Sequence, residues 1–398
     1  MFFLVCNVGS TSLKFKLFHM PSEEIFAEAK ISAIGADIPS EISYQDKAGH
    51  HYKNETLFVS SYTEGIRIFL DLLDISPLSA TIHASDISCV CFKTVLAKGF
   101  YGTHELTDDV LSGMRDCLRV APAHNKLYLA AIEAFRETLP QAKLIGSFET
   151  DFHRTIPIHR RIYGIPSDWT NRYDIKKMGF HGASHSYIAE TMQSSFGLDG
   201  KIISCHLGGS SSVCAISHGK SIDCSFGFSP QSGIIQSYRN GDLDSAILPF
   251  LQQQGYTEEE ILQALSTNGG LKGISGISGD FKTLASHAVS GNENARLAID
   301  VYCYDLIRQI GSMFFQLEGA DALVFTGGIG ENSAYLRSML CEKLAFLGIE
   351  LDPYYNDTPQ ISGLISRPYS KIKVYVIPTN EELMVVRKSY RCLSVRSF

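Results

Sequence analysis

Residues 201–217 read KIISCHLGGSSSVCAIS, and this stretch predicts a β-hairpin with a tip of glycine and serine. Apolar, β-branched residues lead into His206, two glycines and three serines follow, and an alternating run resumes at Val213. Such a pattern is typical of two strands joined by a tight turn. The tip would present backbone N–H groups and hydroxyls without bulky side chains. That composition suits a phosphate group, although most tips of this kind are only turns.

The first residues of the chain repeat this pattern. Phe2–Cys6 predicts a strand, Asn7–Ser12 a tip and Leu13–Phe18 a second strand. Asn7 then corresponds to His206, at an offset of 206 − 7 = 199 residues, which is half of the 398-residue chain. Two like hairpins half a chain apart indicate a duplicated domain, in which the two tips face one cleft. The alternative is a chance likeness between two common hairpins.

The composition predicts a globular protein of about two domains. A hydrophobic content of 44% with 19% charged residues is ordinary for that class, and a net charge of −7 argues against nucleic acid as a partner. No apolar run approaches the roughly 18 residues of a membrane span, and the N-terminus lacks the basic region of a signal peptide. The ten cysteines lie mostly in apolar runs without zinc-type spacing, which indicates a reducing cytoplasm.

Strands and helices alternate along the chain, so the fold class is α/β. Strands are predicted over 87–95, 144–148 and 373–377, and further strands within 21–60. Helices are predicted over 63–74, 126–135, 257–267 and 292–317, with others opening near His181 and Leu383. We expect a first domain over 1–150, completed by a C-terminal helix of about 383–398, and a second domain over 151–382.

Side chains that could carry chemistry follow the predicted strands. Oxygen ligands next to phosphates imply Mg²⁺, which takes only one or two protein ligands, although any one acid is as easily a helix cap. Gly327–Gly330 stands between a strand and a helix, which suits an anionic ligand or, alternatively, a packing turn. The candidate oxygen ligands are Asn7, Glu149, Asp151, Glu381 and Glu382, and the histidines at such junctions are His124, His153, His181, His185 and His206.

A series of motifs in one order along nearly the whole chain resembles the acetate and propionate kinase family, within the superfamily of actin, sugar kinases and heat-shock ATPases. Together these motifs are highly specific. They are NVGSTSLKFKLF (7–18), APAHN (121–125), FETDFHRTIP (148–157), MGFHGASHSYI (178–188), HLGGSSSVCAI (206–216), GKSIDCSFGFSP (219–230), RNGDLD (239–244), GISGISGDF (273–281), FTGGIGENS (325–333) and IPTNEEL (377–383).

The resemblance implies a duplicated actin-like ATPase fold, related to ribonuclease H, with two domains around a nucleotide cleft. It implies direct, reversible phosphoryl transfer from ATP to a short carboxylate such as acetate or propionate, giving an acyl phosphate and ADP. Such chemistry depends on positioning and on charge stabilisation. The resemblance further implies Mg²⁺ or Mn²⁺ as cofactor and a cytoplasmic homodimer, with no nucleic acid or membrane partner.

The resemblance also implies roles for individual residues. Asn7 and Glu381 would hold the metal, while Glu149, His181 and Arg239 would be catalytic. The acid would contact Lys93, Ala123, His124, Phe180 and Pro230. The nucleotide would contact Ser10, Ser12, Lys14, His206, Leu207, Gly208, Gly209, Ser210, Asp280, Phe281, Lys282, Gly327, Gly328, Ile329, Gly330 and Glu331.

Five positions depart from the family pattern. Lys93 replaces a substrate-binding arginine and lacks its bidentate fork, and Glu149 replaces a catalytic aspartate and is one methylene longer. Gly209 stands for an asparagine and Lys282 for an arginine, and Ala123 stands for a leucine and would enlarge the acyl pocket. We therefore expect an active or weakened acyl-phosphate kinase. The alternatives are a nucleotide-binding protein with a regulatory role and a kinase for a larger acid.

Overall fold

The structure is a computed structural model that describes residues 1–361 and 363–395. The chain divides into two compact units: unit 1 is Met1–Asp151 together with the segment that begins at Asn380, and unit 2 is Phe152–Thr379. Unit 1 contains strands β1 (Phe2–Gly9), β2 (Ser12–His19), β3 (Glu24–Ile31), β4 (Ile42–Asp46), β5 (His51–Asn54), β6 (Ile87–Thr94), β7 (Thr103–Glu105) and β8 (Lys143–Phe148). Unit 2 contains β9 (Lys201–Leu207), β10 (Ser211–Ser217), β11 (Lys220–Cys224), β12 (Ala322–Thr326) and β13 (Lys373–Val376).

The helices follow the same division. Those of unit 1 are α1 (Tyr62–Ile75), α2 (Asp108–Asp116), α3 (Pro122–Thr138) and, at the end of the chain, α14 (Glu381–Val395). Those of unit 2 are α4 (Ser167–Tyr173), α5 (Gly182–Phe196), α6 (Ile247–Gln253), α7 (Glu258–Thr267), α8 (Gly270–Ser275), α9 (Phe281–Val289), α10 (Glu293–Gln316), α11 (Gly327–Asn332), α12 (Ala334–Lys343) and α13 (Pro353–Asp357). Short 3-10 helices lie at Pro77–Ala80, Ala84–Asp86, Asp151–Thr155, Ile158–Arg160, Ala345–Leu347 and Pro359–Ile361.

The sheets of the two units share one topology. In unit 1 the strand order is β5-β4-β3-β2-β1-β6-β8-β7, and in unit 2 it is β11-β10-β9-β12-β13. The run β3-β2-β1 is antiparallel, and β1, β6 and β8 are parallel. The run β11-β10-β9 is likewise antiparallel, and β9, β12 and β13 are parallel. The prediction of a duplicated actin-like fold is therefore confirmed.

Each sheet buries apolar residues on both faces. In unit 1, Leu4 and Cys6 of β1 join the core that α1 and α3 cover, while Phe3 and Val5 point to the opposite face. Helix α14 covers that opposite face with Val385 and its neighbours. In unit 2, α10 and α12 cover one face of the sheet and α5 covers the other. Because β1 and β9 are covered on both faces, they are apolar along most of their length.

The structure shortens the two predicted tips. The first was predicted over Asn7–Ser12, but β1 continues to Gly9 and β2 begins at Ser12, so the turn is residues 10–11. The second turn is residues 208–210, because β9 continues to Leu207. Asn7 and His206 therefore lie within strands, where register fixes their side chains. Most predicted helices and strands are present within a few residues.

Helices of weak apolar periodicity were not predicted. They include α8, whose sequence GLKGIS carries two glycines. The helix predicted over 126–135 begins four residues earlier, at Pro122, whose ring is well suited to the first turn. No helix among residues 1–361 and 363–395 combines the length and apolarity that a bilayer crossing requires.

Candidate active site

Three polar side chains in unit 1 continue the sheet face that α14 covers. Along β1 and β6, alternate residues on this face are apolar until the carboxyl end of each strand is reached, and along β8 the same face carries Ile145 and then Ser147. Asn7, Lys93 and Glu149 then occupy the next positions on that face, because side chains alternate with a period of two residues. Since the three strands are adjacent and parallel, these side chains converge at one edge of the sheet.

The first turn of α14 lies against this edge. Lys93 Nζ donates to Glu381 Oε2 at 2.8 Å, and Asn7 Nδ2 donates to Glu382 Oε1 at 2.7 Å. The helix was predicted to begin at Leu383, but it begins at Glu381, which puts both carboxylates at its positive end. Residues 396–398 of the predicted helix lie outside the described residues.

Lys93 is a cation held among carboxylates. Its burial lowers its pKa, but the negative charges of Glu381 and Glu149 raise it more, so its pKa lies above the ordinary value. Glu149 is buried, and its backbone N–H donates to Thr94 O at 2.9 Å. This arrangement gives the edge of the sheet one fixed positive charge beside several negative ones.

The residues at this edge fit a hard divalent cation. The Asn7 amide N–H donates to Glu382, so the amide oxygen can act as a metal ligand together with the carboxylates of Glu381 and Glu382. Mg²⁺ prefers such oxygen ligands and needs only one or two of them from the protein. Among the residues that the structure describes, no three His, Cys, Asp or Glu side chains are grouped as a metal-binding cluster.

The backbone of the first tip is held by hydrogen bonds from Tyr62. Tyr62 Oη donates to Gly9 O at 2.6 Å and lies 3.3 Å from Ser10 O. A Cβ at Gly9 would stand 2.5 Å from Ser12 Oγ, so only glycine allows the hydroxyl this position. Lys14 is exposed and lies directly opposite Asn7 in the ladder between β1 and β2. The predicted phosphate contacts therefore share the sheet edge with the metal candidates.

His181 of unit 2 immediately precedes α5. Its φ is +56°, in the left-handed region that a residue with a Cβ adopts at some energetic cost. Its Nδ1 lies 2.8 Å from Ser212 Oγ of β10, and its ring lies 4.1 Å from the ring of His206. The neighbouring Phe180 is buried and packs edge-on against Phe226 at 5.6 Å.

The second tip lies beside the half-buried Arg239. Arg239 Nη1 lies 3.1 Å from Gln236 Oε1, 3.3 Å from Pro230 O and 3.4 Å from Ser210 Oγ. Burial lowers the pKa of Arg239, but a guanidinium stays charged. Three neutral acceptors leave its positive charge without a carboxylate in these contacts.

The glycine segment 327–330 packs closely against the second tip. Gly327 has φ +77°, and a Cβ there would stand 2.7 Å from Leu207 O. Gly208 is similarly close to Gly328, at 3.8 Å between its ideal Cβ and the backbone nitrogen. Glu331 turns back into α11, where its Oε1 accepts from Gly327 N at 2.8 Å and Thr379 N at 3.2 Å.

Other predicted contacts have simpler surroundings. Asp280 caps α9 by accepting from Thr283 N at 2.8 Å, Phe281 is buried beside Tyr302, and Lys282 is exposed. The adenosine contacts assigned to them remain predictions. His124 lies in the first turn of α3 rather than in a loop, and the side chain of Ala123 lies outside the described residues.

Several site residues were missed or undervalued at the sequence level. Glu382 was considered but not assigned, and Tyr62, Gln236 and Ser212 were overlooked. Strand alternation would have placed Ser212 on the same sheet face as His206, its direct partner across β9 and β10. Nothing local in the sequence marks Gln236, whose side chain accepts from Ser210 Oγ at 2.7 Å. The prediction that both tips face one cleft remains a prediction.

Comparisons with known proteins show the family of the chain. The model of the Acetokinase family matches residues 2–387. Acetate kinase of Treponema denticola is 37% identical over 389 residues, covering 96% of this chain and 98% of that protein. The crystal structure of Porphyromonas gingivalis acetate kinase superposes with a TM-score of 0.85 at 31% identity, covering 98% and 99% of the two chains. A propionate kinase from Francisella tularensis gives 0.88 at 29% identity, covering 97% and 98%. The chain belongs to the acetokinase family.

Proposed function

We propose that the chain transfers the terminal phosphoryl group of ATP to a short-chain carboxylate, giving an acyl phosphate and ADP in a reversible reaction. The single observation that carries the proposal is the convergence of Asn7, Lys93 and Glu381 at one sheet edge, where a cation stands beside oxygen donors. Family membership and the acetate kinases among its relatives support the same activity. They favour an enzyme over the nucleotide-binding alternative.

Asn7 and Glu381 are the residues we assign to Mg²⁺ or Mn²⁺, with Glu382 holding the Asn7 amide. A bound divalent ion neutralises charge on the phosphates. Lys93 attracts the carboxylate of the acid as a point charge, and Glu149 lies on the same sheet face one strand further. The Lys93 ammonium has three N–H donors, so it can contact the acid while one of them still contacts Glu381.

In unit 2 we assign the phosphate chain to the second tip and to Arg239. Gly208 and Gly209 place no side chain over the tip, although the Gly208 N–H already donates to Ser211 Oγ at 3.3 Å. Ser210 links the tip to the Arg239 guanidinium through Gln236. His181 donates a hydrogen bond to the transferring phosphoryl group. Donors fixed in advance stabilise developing charge without reorganisation, which is the main contribution a protein makes to this kind of transfer.

The acid is proposed to be acetate or a slightly larger acid such as propionate, because Ala123 stands where the family has leucine. A cytoplasmic location is supported by the ten cysteines, which are all thiols, and a homodimer only by the family resemblance.

A coupled assay for ADP or a hydroxamate assay for acyl phosphate, run with acetate, propionate and butyrate, tests the activity. Calorimetry with Mg-ATP measures nucleotide binding separately. We expect turnover on at least one acid and a large loss in Glu149→Gln. Glu23→Gln is the matched control, because Glu23 pairs with Arg387 at 2.6 Å in the same unit. Binding of Mg-ATP without turnover on any acid would favour the regulatory alternative.

A further inference from the structure

His181 is the end of a chain of hydrogen bonds that runs into the buried interior of unit 2. Its Nδ1 lies 2.8 Å from Ser212 Oγ, and the same oxygen lies 2.9 Å from His185 Nε2. His185 Nδ1 in turn lies 2.9 Å from Ser204 Oγ of β9. Ser204, His185 and Ser212 are each 0% exposed, so water cannot replace a missing partner in this chain.

The donor and acceptor of each hydrogen bond in this series can be assigned from its buried end, at Ser204. Within the described residues, the Ser204 hydroxyl has no hydrogen-bond partner other than His185. If Ser204 accepted from His185, its own proton would be buried without an acceptor, which is costly. Ser204 therefore donates to His185 Nδ1.

The remaining protons follow in sequence. His185 is buried in an apolar setting, which lowers its pKa well below the ordinary value, with His153 and His206 adding to the effect. A neutral ring that accepts at Nδ1 carries its proton on Nε2, so His185 donates to Ser212 Oγ. Ser212 can then use its single proton only toward His181 Nδ1.

We infer that Ser204, His185 and Ser212 are positioning residues that hold His181 as the neutral tautomer with its proton on Nε2. The inference rests on the proposed function, in which His181 donates to the transferring phosphoryl group. With Nδ1 occupied as an acceptor, His181 keeps Nε2–H as its only donor. Protonation at Nδ1 is opposed, because it would require every proton in the chain to reverse.

Other histidines lie close to His181. The ring centroid of His206 is 4.1 Å from that of His181, and the ring centroid of His185 is 6.4 Å from it. His153 faces His185 from the other side at 5.9 Å. By the same argument, the buried Ser184 hydroxyl donates to His206 Nδ1 at 2.8 Å, so His206 also accepts at Nδ1.

The test is a ¹⁵N spectrum of the imidazole nitrogens in the ligand-free, full-length protein across pH. We expect His181 to show a proton-bearing Nε2 and a proton-free Nδ1, and to resist protonation below the ordinary histidine pKa of about 6.5. This measurement needs no turnover, so its result tests the tautomer of His181 independently of the proposed kinase activity.

Variants then test the series of hydrogen bonds from Ser204 to His181. Ser212→Ala should raise the titration midpoint of His181 and mix its tautomers, whereas Ser212→Thr keeps the hydroxyl and should restore the wild-type spectrum. In the kinase assay Ser212→Ala should lower kcat about tenfold to a hundredfold with little change in KM for ATP, since loss of an orienting partner typically has that effect. Ser221→Ala, which removes the hydroxyl 2.9 Å from His153 Nδ1, is the matched control and should leave the His181 signals in place.

A wild-type spectrum with the proton of His181 on Nδ1 would overturn the inference, and this holds even if Ser212→Ala fails to fold. An unchanged titration of His181 in a folded Ser212→Ala protein would overturn it as well.

Discussion

Lys93→Met should tighten the binding of a divalent cation to the free protein. In the structure Lys93 Nζ donates to Glu381 Oε2 at 2.8 Å, and the two side chains are only 25% and 20% exposed. A metal ion that takes Glu381 as a ligand must displace this ammonium. A charge-assisted hydrogen bond contributes about 1.5–3 kcal/mol, so its removal should lower the Kd for Mn²⁺ about tenfold to a hundredfold.

The assay is titration with Mn²⁺, followed by electron paramagnetic resonance or calorimetry, without nucleotide or acid. The same variant should raise KM for the acid, because the cation that attracts its carboxylate is gone. Lys16→Met is the matched control, because Lys16 pairs with Glu28 at 2.8 Å and its replacement removes the same charge from unit 1. If Lys93→Met leaves the Kd for Mn²⁺ unchanged or raises it, Lys93 does not compete with the metal for Glu381.

Three further predictions follow from buried or replaced charges. Folding lowers the pKa of His185, so at low pH the unfolded chain binds a proton at this residue that the folded chain does not bind. The free energy of unfolding should therefore fall as the pH drops below about 6.5. In thermal melts, His185→Gln should reduce this dependence of stability on pH. Arg337→Met should cost about 3–5 kcal/mol in urea unfolding, since the guanidinium is buried and donates to Asn356 Oδ1 at 2.8 Å; a loss under about 1 kcal/mol would contradict this. Lys93→Arg combined with Glu149→Asp should raise kcat/KM for the best acid about tenfold or more, non-additively, and no gain in a folded double variant would count against a kinase weakened by geometry.

Much of unit 1's site follows from strand alternation alone. Asn7 and Lys93 each end an alternating apolar run, Glu149 directly follows β8, and parallel strands bring such ends together. What the sequence could not provide was the partner of each side chain. The pair between Asn7 and Glu382 joins residues 375 positions apart, and no local pattern reports which oxygen Lys93 contacts.

Unit 2 shows the same limit in another form. The sequence marked His181 and Arg239 as candidates, but a serine in a strand usually packs or caps a turn. Ser204 and Ser212 become informative only when the sheet places both beside His185. Helix α8 was missed for a related reason, because it is held by α10 through packing rather than by helix propensity.

Helix α14 completes unit 1, although residues 149–380 separate it from β8. Until the ribosome has released those residues and the helix itself, the sheet face around Phe3, Val5 and Cys91 has no cover. The first half of the chain is therefore synthesised long before it can finish folding. During that interval it presents an apolar surface to chaperones and to other nascent chains. A chain cut at residue 380 would keep this exposure permanently, and quality control would recognise it as an unfinished protein.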